Sequence, residues 1–182
     1  CTGYYNYDQG YKPDFPDESD FRGQIVHPQH WPEDLDYTGK KVVVIGSGAT
    51  AITLVPTMAE KAAHVTMLQR SPTYLMPLPS TDKLTLALQK ILPEKTAYRL
   101  TRARNIAISR FLYQRSRKSP QFMRRLFLSI IKRKVGDTAD MRHFTPDYNP
   151  WDQRLCVVKD GDLFQAMKAG KAAIATDHID RF

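Results

Sequence analysis

Lys41-Val42-Val43-Val44-Ile45 runs without a spacer into Gly46-Ser47-Gly48-Ala49-Thr50-Ala51, and few folds accept that order. β-Branched side chains are crowded in a helix and pack well on a pleated surface, and a run without polar alternation marks a strand buried on both faces. Glycines placed directly behind it stop the strand. Residues 50–61 then have helical character, and His64–Gln69 (HVTMLQ) reads as a second strand. Strand, helix and strand in this order make one βαβ unit, with a right-handed crossover.

The glycines match G-x-G-x-x-[G/A] in the context the pattern requires, after a strand and at the opening of a helix. Gly46 lets the chain turn sharply, Gly48 has no Cβ to hold a pyrophosphate off the backbone, and Ala51 is small enough for the helix to lie against the sheet. The N–H groups over Ser47, Ala49 and Thr50 would donate to phosphate oxygens, where the helix dipole also favours negative charge. A plain tight turn is the competing reading. NAD-binding units usually carry an Asp or Glu at the end of the second strand to hold the ribose 2′-hydroxyl, but here the chain reads Leu68-Gln69-Arg70-Ser71. With no carboxylate to repel a 2′-phosphate, and with the planar cationic fork of Arg70 to receive one, NADP(H) is expected, bound through Gln69, Arg70 and Ser71. An exposed arginine that merely ends a strand is the alternative.

Farther along, residues 154–158 (RLCVV), the stretch GDLFQAMKAG and the stretch AAIATDHI repeat the strand, helix, strand order. Between the two halves lies a segment of another kind. From Lys83 to Lys134 there are fifteen Lys and Arg against one acid, Glu94; that balance of +14 leaves −6 on the rest of a chain whose net charge is +8. Apolar residues recur there at three- and four-residue steps, such as Phe122, Leu126, Phe127, Ile130 and Ile131, the pattern of amphipathic helices. Pro93 and Pro120 would cut the segment into about three helices. A solvated basic face, a surface for anionic lipid and a surface for an acidic neighbouring domain are the open readings. Nucleic acid is not expected, because no recognised motif or interleaved aromatic pattern accompanies the charge. The expected fold class is therefore α/β, a Rossmann-like parallel sheet with helices on both faces, interrupted by an all-helical insertion.

At 182 residues, 42% hydrophobic and 25% charged, the chain has the composition of a soluble globular protein and room for one domain with an insertion. Cys1 and Cys156 lack metal-ligand spacing, so neither a disulfide framework nor a metal site is expected. No apolar stretch reaches the roughly 20 residues that span a bilayer, and no signal peptide is visible, so the expected location is cytoplasmic. The abrupt beginning, without an initiating methionine, and the ending just past a strand read as a piece of a longer protein.

Phe21-x-Gly23-x-x-x-His27-x-x-x-Trp31-Pro32 lies just ahead of the glycine loop. It resembles the fingerprint of Baeyer–Villiger monooxygenases and their flavin-containing monooxygenase relatives, the class B flavoprotein monooxygenases. HFTPDYNPWDQRLC (143–156) resembles the segment by which such proteins re-enter their NADPH domain after a helical insertion, and CTGYY resembles the exit from their FAD domain. The resemblance implies an enzyme in which NADPH reduces FAD and one oxygen atom of O₂ passes to an organic substrate, either beside a ketone carbonyl or onto nitrogen or sulfur. It further implies that His27 bonds across the interdomain linker, with Phe21 and Trp31 as anchors; a loop histidine satisfied by backbone, and a Trp31-Pro32 pair that simply packs the loop against the sheet, are the alternatives. Residues 1–35 would then be a linker from the FAD domain of the same parent chain, 36–81 and 136–182 the NADP-binding domain, and 82–135 the insertion. Catalytic residues are not assigned, since no local motif places the family's flavin-side arginine, and this chain alone is expected to be inactive. A non-catalytic NADP-binding module and a docking protein working through the basic helices are the competing functions.

Overall fold

The computed structural model describes residue 8 and residues 10–182; Cys1 and the CTGYY stretch lie outside them. In chain order the regular elements are β1 (Lys41–Ile45), α1 (Ala49–Ala59), β2 (His64–Gln69) and β3 (Tyr74–Leu78). Then come α2 (Lys83–Ile91), α3 (Glu94–Lys118), α4 (Pro120–Val135), β4 (Leu155–Lys159), α5 (Asp162–Lys168) and β5 (Ala172–Thr176). The architecture is α/β with parallel strands and an all-helical insertion.

β2 is the central strand of a three-stranded parallel sheet, with β1 on one side and β5 on the other. The period of two along β2 puts Val65, Met67 and Gln69 on the buried face. Against that face α1 lays Ile52, Val55 and Met58, and α5 adds Leu163, Phe164 and Met167, so one core joins both βαβ halves. Among the described residues the opposite face is more open, and Val43 and Ile45 remain 60% and 48% exposed.

β3 is an element the sequence reading missed. Pro77 sits inside it and has no N–H to give a ladder, which argues against a central strand. The structure accommodates it at an edge, because among the described residues β3 pairs with β4 alone, in parallel, Tyr74 opposite Leu155.

The helical segment divides in two by its packing. Pro120 stands at the first turn of α4, where a missing N–H costs nothing, and Pro93 immediately precedes α3. α4 belongs to the body: Ile131 and Val135 enter the main core, while Met123 and Phe127 close on Tyr74. Arg124 fastens it further, donating to the Tyr74 hydroxyl at 3.1 Å and to the Tyr148 carbonyl at 3.0 Å. α2, in contrast, buries no residue, and α3 buries only Ala97 and Ser116. Asp82 joins these two helices, capping the amides of Leu84 and Thr85 and pairing with Arg104.

Candidate functional site

The turn from β1 into α1 builds the first part of the site. Gly46 has φ +124°, a conformation that side chains with a Cβ rarely adopt, and its N–H donates to the Leu68 carbonyl at 2.7 Å, so the turn is tied to β2. Behind the turn, buried Ser47 lies with its carbonyl 4.0 Å from the Cys156 sulfur. Burial pushes the Cys156 thiol above its ordinary pKa, which leaves it protonated and unreactive at neutral pH. Gly48 is the N-cap of α1, and neither a capping side chain nor an acid in the first turn satisfies the helix start. The first helical bond runs from the Ile52 N–H to the Gly48 carbonyl, so the N–H groups of Ala49, Thr50 and Ala51 have no intrahelical partner.

Two observations make this cradle suit an anion. A Cβ built on Gly48 would meet no atom within 4 Å, so the protein's own packing does not demand glycine there and the space in front of it is open. Ala51 is buried in the core cluster, whereas Ala49 and Thr50 are exposed, so the helix start rests on the sheet and faces outward at once. Free N–H groups and the positive end of the helix dipole converge on that space. The residues present thus fit a diphosphate.

The exit of β2 supplies the second part, with one correction to the expected nucleotide contacts. Gln69 is 2% exposed, and its amide nitrogen donates inward, to the His143 carbonyl at 2.7 Å and to the Thr176 hydroxyl at 2.9 Å. Its side chain is committed to the protein instead of a ligand. His143 Nδ1 lies 2.7 Å from the same hydroxyl, and desolvation lowers the pKa of this imidazole, favouring the neutral ring. Gln69, His143 and Thr176 therefore lock the ends of β2 and β5 to the segment returning from the insertion. Sequence reading had no signal for this network, because its members are far apart in the chain and meet only through strand order.

Arg70 and Ser71 follow Gln69 and are exposed, and Arg70 meets no carboxylate among the described residues. An acid does stand near this exit, Asp177, contributed by the second βαβ half and not by the first. Its N–H donates to the Gln69 carbonyl at 3.0 Å, which places it beside the exit of β2, while its carboxylate accepts the His178 N–H at 2.8 Å. The sequence signal was available: a strand ending in Thr176-Asp177 is a candidate neighbour of β2 in any parallel sheet.

The fingerprint loop is organised by close contacts. A Cβ on Gly23 would stand 2.5 Å from the Phe21 ring, so in this arrangement the ring folds over a residue without a side chain. Phe21 also meets Phe182 edge-on at 5.7 Å between centroids, and the Phe182 N–H donates to the Pro16 carbonyl at 3.0 Å. His27 accepts the Gln29 N–H through Nδ1, capping the short 3-10 turn Pro28–His30. A Cβ on Gly10 would come within 2.3 Å of the His27 ring, so imidazole and preceding chain touch as closely as glycine allows. Trp31 remains 39% exposed and Pro32 is half-buried.

A groove of about 340 Å³ lies between the far half of α1 and α5, lined by residues such as Pro56, Glu60 and Gln165. It is distant along α1 from the glycine loop and brings no reactive cluster together. Among the described residues no group of three His, Cys, Asp or Glu side chains is placed to hold a metal ion.

Comparison with known proteins yields consistent matches. The model of the flavin-binding monooxygenase-like family matches residues 1–135. The "Probable FAD-binding monooxygenase AlmA" of Acinetobacter baylyi is 60% identical over 183 residues, which cover 100% of this chain and 37% of that protein. The FAD-containing monooxygenase EthA of Mycolicibacterium smegmatis is 54% identical over 184 residues, again 100% of this chain and 37% of the other. This chain thus spans little more than a third of the length of these relatives. Among solved structures, an oxidized steroid monooxygenase bound to NADP has the same fold, with a TM-score of 0.65 at 21% identity over 92% of this chain and 38% of that one.

Proposed function

The chain belongs to the flavin-binding monooxygenase-like family, and from that premise we propose that it is the NADPH-binding part, with a helical insertion, of a longer FAD-dependent monooxygenase. The observation that carries the proposal is the open start of α1, uncapped and free of acids, with exposed Arg70 at the neighbouring strand exit. In this reading the N–H groups of Ala49, Thr50 and Ala51 hold the pyrophosphate, Gly48 lets it approach, and Arg70 and Ser71 receive the 2′-phosphate. Gln69 acts beneath them as a brace, joined to His143 and Thr176.

When bound, NADPH supplies a hydride, and FAD held by the remainder of the parent chain supplies the oxygen chemistry, with O₂ and an organic substrate as reactants. What this chain contributes is position. A flavin site that handles activated oxygen works only where water is excluded, so a nucleotide domain must close on it reproducibly. In this reading the contact of His27 with Gly10 and the packing of Phe21 over Gly23 order the loop ahead of β1, and that order would help fix the approach. Residues 1–35 are then the linker, 36–81 with 136–182 the NADP-binding domain and 82–135 the insertion, within which α4 shares the core of the domain.

Calorimetric titration of the chain with NADPH and, separately, with NADH tests the reading. Tighter binding of NADPH is expected. Binding of neither nucleotide, by this chain or by the full-length protein, would overturn it.

A further inference from the structure

The helical insertion carries a surface that the nucleotide site does not use. Of its fifteen cations, Arg104 and Arg117 meet carboxylates, Asp82 and Asp152, and Arg124 is spent on Tyr74 and Tyr148. The other twelve are exposed and have no carboxylate partner among the described residues. Such an accumulation of one sign repels itself, and an anionic partner would relieve that repulsion. Large apolar side chains are exposed on the same three helices: Ile91 is 80% and Phe111 64% exposed, and Leu84, Tyr98, Ile106 and Phe122 are each more than half exposed. Arg115 stacks over the Phe122 ring at 5.7 Å, one instance of the two chemistries interleaving.

We propose that α2, α3 and the outer side of α4 form a docking surface for an anionic lipid bilayer, on which these helices lie without crossing it. Charge complementarity and the exposed apolar side chains together favour this partner. Aliphatic groups such as Ile91, Ile106 and Leu84 offer a nucleic acid neither a stacking plane nor a hydrogen bond. At a bilayer surface they enter the boundary between headgroups and acyl chains, while Lys and Arg extend to the phosphates and tyrosines sit at headgroup level. Among the described residues no helix is long and apolar enough to cross a membrane. The packing supports the same role: α4 is anchored in the core, whereas α2 and α3 bury almost nothing, so the attached hairpin presents its sides to a partner. The proposal is independent of the NADPH reading, and either can fail alone.

The test is sedimentation of the full-length protein with vesicles of phosphatidylcholine, or of phosphatidylcholine mixed with phosphatidylglycerol, at low and high salt. Binding to the mixed vesicles alone, weakened by salt, is the expected result. Each surface cation is worth about 1 kcal/mol near an anionic leaflet, so the triple variant Arg99→Gln/Arg102→Gln/Arg110→Gln should bind about one hundred-fold more weakly. The far-ultraviolet circular dichroism spectrum and melting temperature of that variant, expected to be unchanged because all three side chains are exposed, show that it is folded. Absence of binding, equal binding to neutral vesicles, an unaffected triple variant or preferential capture by duplex DNA would each overturn the proposal.

Discussion

At the scale of single residues, Gly48 separates what the fold requires from what a ligand requires. Its φ of −75° is open to any residue, and a side chain there would enter empty space. Aspartate is among the best N-caps and complements the helix dipole, so Gly48→Asp should leave the melting temperature unchanged or raise it slightly. The same carboxylate would repel a pyrophosphate from the cradle, and NADPH binding should fall below detection in calorimetry. A folded Gly48→Asp protein that binds NADPH normally would show that the nucleotide does not sit at this loop. Arg70 tests selectivity. A hydrogen bond to a charged group contributes about 1.5–3 kcal/mol, so Arg70→Ala should weaken NADPH binding about ten- to one hundred-fold. NADH should lose little, and equal losses for the two nucleotides would mean that Arg70 does not read the 2′-phosphate. Asp177 near the same exit gives that comparison added force, since a carboxylate there could also meet a ribose hydroxyl.

At the scale of elements, the sequence was legible where a local pattern decides the structure. The β-branched run, the glycines behind it and the prolines at 93 and 120 each act on their own neighbours, and β1, α1, β2 and the breaks of the insertion follow from them. β3 was hidden because Pro77 contradicts a strand everywhere except at an edge, and edge status depends on the whole sheet. α4 was read as one more basic helix because its charges are conspicuous, while the four-residue spacing of Met123, Phe127, Ile131 and Val135 is what places it in the core. The tie between α2 and α3 gives a pH prediction. Hydrogen bonds from Arg104 and Thr85 hold the Asp82 carboxyl well below the usual carboxylate range. A group whose pKa is depressed by folding stabilises above its unfolded pKa, and that contribution is lost as pH falls through its folded value. The cap should therefore survive at pH about 4, where an unperturbed aspartate is half protonated, and fray only in stronger acid. Amide exchange at Leu84 and Thr85 followed through an acid titration checks this, and fraying with a midpoint near that pH or above it would contradict it. Asp82→Asn, which caps comparably but does not ionise, should remove the acid sensitivity.

At the scale of the whole molecule, the β-branched run in β1 makes a demand that the described residues only half satisfy. Val42 and Val44 pack against the core, whereas Val43 and Ile45 are exposed on the opposite face. Strand register extends that face across the sheet: Val43 lies beside Thr66 and then Ala173, and Ile45 beside Leu68 and then Ala175. Small and apolar residues in two aligned rows form a surface shaped to be covered, and a helical partner for it is not found among the described elements. The relatives are far longer, with this chain spanning 37% of AlmA and of EthA, so ample chain exists in such proteins to cover it. Val43→Lys distinguishes the cases. In this chain alone the lysine stays in water, and its cost in denaturant unfolding should lie within about 0.5 kcal/mol. In the full-length protein the same lysine would be trapped under a packed layer, and the cost should exceed about 2 kcal/mol. Equal small costs in both would mean that the face stays open in the whole protein. A large cost confined to the full-length protein would mean that the strand carrying the glycine loop is held from both sides only there, with Val43 and Ile45 packed under chain that the described residues do not include.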